Sequence, residues 1–382
     1  MLMRILLLLF FISSVCFAQQ TVKDTIVHDG LERAYILYVP ANYSEAAAAP
    51  LVINFHGHTS NSQEQMFYGD FTKIAEAEGF IVVHPMGTLD FQNEPYWNAG
   101  FGGAVDDVGF TESLIDSLSA QYNIDQARVY STGMSNGGYM SYTLACELSN
   151  RIAAIASVTG SMTTAQLNSC SPSRAVPVME IHGTADPTVL YEGKGFSESI
   201  PDVIDYWVDF NNCSAEPVIT QVPNYNTNDG CTATHYVYKA GDDGVEVEHY
   251  KIVDGAHTWP GAPINIGVTN RDIDASEKIW EFFNKYDMNG RRIGLGINQS
   301  ETILKDVSVY PNPATNFVAI TWNAVEVESI SVVNAVGAEV GFYSITSQNS
   351  LTLATEDWGK GLYLIEGRTK QNDRFVTRFL VN

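Results

Sequence analysis

The stretch PLVINFHG at residues 50–57 is apolar at successive positions, so a strand formed from it is apolar on both faces. Such a strand must be covered from both sides, which places it inside a parallel sheet with helices above and below. The same kind of run returns along the chain: RAYILYVP (33–40), GFIVVHP (79–85), ARVYSTG (127–133), RIAAIASVTG (151–160), VPVMEIHG (176–183) and VEVEHYKIVDG (245–255). Helical patterns lie between them. DFTKIAEAEGF is stopped by Gly79, and VDDVGFTESLIDSLSAQYNI sets Val108, Leu114, Ile115, Leu118 and Tyr122 on one face, with Asp106 or Asp107 as its N-cap. NGGYMSYTLACELS follows one strand directly, and RDIDASEKIWEFFNKY closes the series. This alternation predicts an α/β domain over residues 19–287, with a mostly parallel sheet and helices on both faces.

The pattern changes further along. After a linker at 288–305, residues 306–382 offer no helical period, only short strands and turns: FVAITW, SISVVNAVGAEVGFY, SLTLAT, GLYLIEG and RFVTRFLVN. A small all-β sandwich is expected there. At the other end, MLMR, the apolar run ILLLLFFISSV and the small-residue site CFA read as an export signal over residues 1–18, cleaved after Ala18. The run is too short for a transmembrane span. A net charge of −23 over 382 residues argues against nucleic-acid and anionic-membrane partners. Cleavage removes Cys16 and leaves Cys146, Cys170, Cys213 and Cys231. In an exported chain four cysteines read as two disulfides with three connectivities; short loops favour Cys146–Cys170 and Cys213–Cys231.

Ligands of open parallel sheets bind beyond the carboxyl ends of the strands, so the residues just after each strand matter most. They are HGHTS after the first buried strand, STGMSNGG after ARVY, HGTADPT after VPVMEI and DGAHTWPG after HYKIV. The second fits G-x-S-x-G, with Gly133 and Gly137 allowing a sharp strand-to-helix turn that lifts Ser135 above the sheet. Ser135 is then the candidate nucleophile, His257 its general base and Asp186 the carboxylate that fixes the imidazole tautomer. The Asn136 amide and an amide of the His58 region are the candidate oxyanion donors. His235 and His249 compete as bases, and Asp202, Asp205 and Asp209 as acids, but these fall on a strand or a helix rather than at strand-end turns. His56, His84 and His182 close buried strands and are expected to bond to backbone. Tyr96, Trp97, Tyr191 and Trp259 are candidate pocket aromatics.

HGHTSNSQEQ, WNAG…VDDVGF, GMSNGGYMSYTLACEL, IHGTADPTV and GAHTWPG together resemble the secreted esterases that include feruloyl esterases and extracellular polyhydroxybutyrate depolymerases. The resemblance implies an α/β-hydrolase fold, hydrolysis of carboxylic esters without a metal or other cofactor, and Ser135, Asp186 and His257 as the triad. It also maps Cys146 onto a disulfide position. One departure is FGGA at 101–104, where many relatives carry cysteines, on the loop that borders the acyl pocket in such folds. The expected partner is an ester-bearing polymer or its oligomers: feruloyl or acetyl esters of plant polysaccharide first, a polyester such as polyhydroxybutyrate second. A non-catalytic surface protein and a serine peptidase are the rival classes. VSVYPNPATNFVAITW…GKGLYLIEG…RFVTRFLVN resembles the sorting domain of the type IX secretion system. It implies export across the outer membrane by that machinery, with removal of the domain and attachment at the cell surface left open. A carbohydrate-binding sandwich using Trp322 and Trp358 is the alternative.

Overall fold

The computed structural model describes residues 19–292, 307–322, 326–334, 339–346, 348–356, 358–369 and 374–382. The expected export signal at 1–18 lies outside the described residues. The chain divides into two compact units, 1–292 and 293–382.

In the first unit the strands are β1 (Gln20–His28), β2 (Leu31–Val39), β3 (Ala49–Phe55), β4 (Ile81–Pro85), the short pair β5 (Thr88–Leu89) and β6 (Pro95–Tyr96), β7 (Ile124–Met134), β8 (Ala154–Val158), β9 (Val178–Gly183), β10 (Val218–Gln221), β11 (Thr232–Tyr238) and β12 (Val247–Val253). All but β5 and β6 join one ten-stranded sheet in the order β1-β2-β4-β3-β7-β8-β9-β12-β11-β10. Its central block, from β4 to β12, is parallel. Antiparallel pairs extend it at both edges, so the sheet is mostly parallel, as expected, with antiparallel margins. The added edge strands carry little sequence signal because they bury little: all four residues of β10 are exposed. An exposed strand need not alternate.

Seven α-helices connect these strands: α1 (Ser62–Tyr68), α2 (Thr72–Glu78), α3 (Asp107–Gln121), α4 (Asn136–Glu147), α5 (Thr164–Ser169), α6 (Ile200–Phe210) and α7 (Ala275–Phe283). Side chains alternate across each strand, and the two faces feed separate cores. Leu51, Ile53 and Phe55 of β3 pack with Leu114 and Ile115 of α3, Met140 of α4 and Trp207 of α6. Val52 packs on the other face with Ala75 of α2 and with Ile279 and Phe283 of α7. Asp106 is the N-cap of α3, accepting from the Gly109 amide at 2.8 Å. Asp107 turns inward instead, to an ion pair with Arg33 at 2.6 Å in which both side chains are buried.

The unit does not stop at residue 287. β13 (Tyr286–Asp287) and β14 (Gly290–Arg291) form a hairpin, pinned to the start of the central strand by a bond from Met288 N to Ala127 O (2.9 Å). The linker expected from 288 therefore begins within a structured turn.

Cys146 and Cys170 form a disulfide that ties the end of α4 to the end of α5. Cys213 and Cys231 do not; both are free thiols, which corrects the second expected bridge. The reason is the sheet itself. Cys213 packs into the core on the α4 face and Cys231 into the core on the α7 face, so short sequence separation leaves them on opposite sides of the same layer.

In the second unit the paired strands are antiparallel among the described residues, with one parallel bridge between Ala314 and Val381. β15 (Val307–Tyr310), β16 (Phe317–Trp322) and β19 (Ser350–Ala354) form one sheet. β17 (Val327–Asn334), β18 (Glu339–Ser344), β20 (Gly361–Thr369) and β21 (Arg374–Val381) form the other. Val318, Ile320 and Trp322 of the first share a core with Ile330, Val332, Ile365 and Phe379 of the second, a small sandwich as expected. Trp322 is buried, and Trp358 lies against Tyr363 and Phe379 with ring centroids 5.0 and 6.1 Å away. Both indoles serve the core, so the alternative of sugar stacking through them loses its support. Among the described residues no helix is long and apolar enough to cross a membrane.

Candidate active site

β7 runs straight into α4 through Ser135, whose backbone sits at φ 55°, ψ −119°. A side chain at positive φ costs about 1–3 kcal/mol and persists only where the surroundings hold it. Here Ser135 N donates to Val158 O (2.8 Å), and Ser135 O accepts from the Gly138 and Tyr139 amides at 2.8 and 3.0 Å. Glycines make the turn possible by close approach. A Cβ on Gly137 would stand 2.2 Å from Phe55 O, and one on Gly133 2.6 Å from the Gly137 carbonyl carbon. Gly137→Ala is therefore expected to lower stability by more than about 3 kcal/mol, since backbone on both sides must yield. Thermal unfolding of the purified variant checks this, and a melting point within a degree or two of the parent would contradict it.

Of the nine non-glycine residues with positive φ among those described, Thr59, Ser135, Thr159 and Asp254 lie in the turns that follow β3, β7, β8 and β12. Strain collects at the carboxyl edge of the sheet, where the candidate residues are.

β9 and β12 are parallel neighbours, and their carboxyl ends deliver Asp186 and His257 side by side. The two turns are laced together: Ala185 N donates to Gly255 O at 3.0 Å, and a Cβ on Gly183 would meet Gly255 O at 2.2 Å. His257 Nδ1 stands 2.7 Å from Asp186 Oδ2. The other carboxylate oxygen, Oδ1, accepts from the Thr188 and Val189 amides at 2.8 and 2.9 Å. The Asp186 side chain is fully buried, whereas His257 retains 17% exposure. Its Nδ1 being taken, Nε2 is the nitrogen free to handle a proton. No hydrogen bond joins Ser135 Oγ to His257 in this structure; such contacts often tighten only when substrate is bound.

The loop after β3 reaches the same edge. A Cβ on Gly57 would lie 3.4 Å from the Ser135 Cβ. The His58 imidazole points away, half-exposed, to an ion pair with Asp90 at 2.9 Å, so only its backbone remains as an oxyanion candidate. Asn136 occupies the first position of α4, where an amide has no intrahelical acceptor. Its side chain clamps the Trp97 backbone, accepting from Trp97 N at 2.6 Å and donating to Trp97 O at 3.0 Å.

Of the expected pocket aromatics, Trp97, Trp259 and Tyr191 are core residues, and Tyr96 is half-buried. Trp97 is buried, donates its indole N–H to His56 O (3.0 Å) and meets Phe55 edge-on at 4.9 Å. Trp259 is buried against Phe71 and donates to Ser276 Oγ at 3.2 Å. Tyr191 is buried with its hydroxyl 3.0 Å from His249 Nε2. Among the exposed aromatics, Phe101 and Phe196, 39% and 63% accessible, pair with ring centroids 5.4 Å apart. Phe101 also lies 5.3 Å from the Tyr139 ring in the first turn of α4. Both phenylalanines follow left-handed glycines, Gly100 before Phe101 and Gly193 and Gly195 before Phe196. That signal, a large aromatic in a glycine-rich loop, was available in FGGA and GKGF.

The expected backbone bond of His84 is not made, its Nδ1 being buried without a partner, whereas the other core histidines have structural posts. His56 donates from Nδ1 to Gly57 O (2.7 Å) and accepts from Gly87 N (3.0 Å), and burial pulls its pKa down to about 4. His249 is likewise buried, donating to Glu180 O at 3.0 Å, with its pKa lowered to about 3. His235 is paired with Glu248 at 2.7 Å. His182 is fully buried between Glu180 and Asp186. Among the described residues, the side chains that converge as metal ligands would are His28, Asp29 and Asp106, at the β1–β2 turn and the α3 cap rather than beside Ser135.

Residues 33–210 match the family described as Esterase PHB depolymerase, and residues 308–382 match the secretion system C-terminal sorting domain. A bifunctional acetylxylan esterase/xylanase of Neocallimastix patriciarum is 27% identical over 272 residues, 71% of this chain and 36% of that protein. Feruloyl esterase D of Neurospora crassa is 27% identical over 286 residues, 70% of this chain and 86% of the relative. Feruloyl esterase B of Piromyces equi is 29% identical over 198 residues, 48% of this chain and 37% of the relative. The chain thus spans 36% and 37% of the first two curated relatives it matches. Among solved structures, an acetyl xylan esterase from Aspergillus awamori is similar at a TM-score of 0.49 and 16% identity, over 70% of this chain and 99% of that one. The first unit is thus similar over residues 33–210 to the esterase PHB depolymerase family, and the second over residues 308–382 to the secretion system C-terminal sorting domain.

Proposed function

We propose that Ser135, His257 and Asp186 form the catalytic triad of an esterase that removes feruloyl or acetyl groups from xylan-type plant polysaccharide. The observation that carries the reading is the His257 Nδ1–Asp186 Oδ2 contact of 2.7 Å, at the same carboxyl edge of the parallel strands as the strained turn that bears Ser135. In this scheme Ser135 Oγ attacks the ester carbonyl while His257 Nε2 takes its proton. Asp186 holds the ring with Nδ1 protonated and stabilises the imidazolium. The Asn136 amide, with that of His58, receives the oxyanion. The protonated ring then gives its proton to the leaving alcohol, and water repeats the sequence to free the acid.

Two features support the substrate class: relatives whose names carry acetylxylan and feruloyl esterase activity, and the exposed Phe101–Phe196 pair beside the Ser135 turn. A polyester substrate is the second reading. The matched family and the exposed Phe91, Ile264 and Ile266 on loops after β4 and β12 favour it. We also propose that residues 1–18 are the export signal.

The test uses the full purified chain. A fluorophosphonate should add one adduct per chain, mapped by peptide mass to Ser135, with parallel loss of hydrolysis. Methyl ferulate and acetylated xylan cleaved faster than a hydroxybutyrate oligomer supports the first substrate class, and the reverse order supports the second. Labelling at another serine with activity lost would sink the triad.

A further inference from the structure

The triad reading leaves a buried pair of ionisable side chains unused. Glu180 and His182 lie two residues apart on β9, so both point to the same face, and both are fully buried. Charged groups are not retained in a dry core without partners, since desolvation costs several kcal/mol each. Here the partners form a chain toward the site. Tyr142 of α4 donates to Glu180 Oε2 at 2.8 Å. Glu180 Oε1 lies 2.9 Å from His182 Nδ1. His182 Nε2 lies 2.8 Å from Val189 O and 3.4 Å from Asp186 Oδ2, the oxygen that also faces His257.

The Val189 carbonyl only accepts, so His182 Nε2 must carry a hydrogen. One further proton then lies between Nδ1 and Glu180 Oε1, and the pair is an imidazolium with a carboxylate or a neutral ring with a carboxylic acid. Burial opposes charge on both. The facing carboxylates nevertheless outweigh it at His182, whose pKa is raised. Among the described residues, the remaining neighbours supply no competing cation at short range. Tyr139 and Tyr142 come from α4; Tyr191, whose ring centroid is 6.0 Å away, comes from the loop after β9; and His249 on β12 is held neutral. Lys251 stands beyond, over the Tyr191 ring.

We propose that His182, charged by its pairing with Glu180, is a positioning residue that restrains Asp186 Oδ2 and lowers the basicity of His257. The inference rests on the triad reading. His182 Nε2, whose hydrogen goes to Val189 O, stands 3.4 Å from the carboxylate oxygen that accepts from His257 Nδ1–H. Charge on His182 draws that oxygen's electron density and leaves less to stabilise protonated His257. The base is therefore free at lower pH than it would be with Asp186 to itself.

The experiment is the pH profile of kcat/KM for the full-length chain, wild type beside Glu180→Gln and His182→Gln. Glu180→Gln keeps the shape and leaves His182 neutral with Nε2 protonated. His182→Gln removes the charge outright. The acidic limb should move to higher pH by about half a unit or more in both. Folded variants that lose activity equally at every pH, with the limb unmoved, would overturn the proposal and leave a structural role. Should the variants not fold, the imidazole nitrogen-15 spectrum of wild type decides. His182 should show both ring nitrogens protonated with no titration between about pH 5 and 8, whereas a neutral ring, or one titrating near the ordinary value of about 6.5, overturns the idea. Failure of the triad itself reads differently, as full activity in Asp186→Asn.

Discussion

Ser135→Ala should lower kcat on any accepted ester by about six orders of magnitude, the scale at which removal of a triad serine leaves only binding and oxyanion stabilisation. The substitution deletes one oxygen atom. Alanine carries the same Cβ, so the φ of 55° remains as strained as before and the glycine contacts around the turn are untouched. The melting temperature should consequently stay close to wild type. Turnover and unfolding measured on the same preparation separate chemistry from folding: lost turnover with an intact transition is the expected pair of results. Residual turnover above about one part in a thousand would mean that another nucleophile does the work.

Asp186→Asn is the second large effect, about four orders of magnitude in kcat with little change in KM. The backbone dictates its direction. Oδ1 accepts from the Thr188 and Val189 amides, so an asparagine oxygen must take that place, and the amide NH2 must turn to His257. A donor facing Nδ1 forces the ring's hydrogen onto Nε2, which then cannot accept the serine proton. The NH2 also meets the His182 Nε2–H, donor against donor, at the site of a 3.4 Å contact. Steady-state kinetics on a soluble ester checks the loss. An unchanged kcat would remove Asp186 from the mechanism.

The parallel core of the sheet is legible in the sequence because burial on both faces leaves an uninterrupted apolar run, as in LVINF, whose residues are all buried. The edge strands are not, since β10 is exposed throughout and β1 is covered only at Val22, Ile26 and His28. Strand-end residues are legible for a related reason: Ser135, Asp186 and His257 each stand where an apolar run breaks into glycine-rich sequence. Side-chain direction in loops is not. Trp97 and Trp259 sit in turns near those residues yet point inward, because an indole gains more from burial than a rim position offers. Cys213 and Cys231 show the same limit, since their closeness along the chain says nothing of a sheet passing between them. Glu180 was readable only as part of a strand, because its partner Tyr142 comes from a helix elsewhere in the chain.

The placement of β12 at the far side of the parallel block, next to β9, bears on when the protein becomes active. Ser135 and its turn need only β3, β7, β8 and α4, all complete by residue 158. His257 arrives after the last parallel strand, which must find β9 across a long stretch of intervening chain, the slow kind of contact to form. A nascent or partly translocated chain can thus expose the serine turn without a base to drive it. Under the proposed triad, hydrolytic power would appear only when the final strand docks, so the order of assembly itself would delay the chemistry until nearly the whole first unit has emerged.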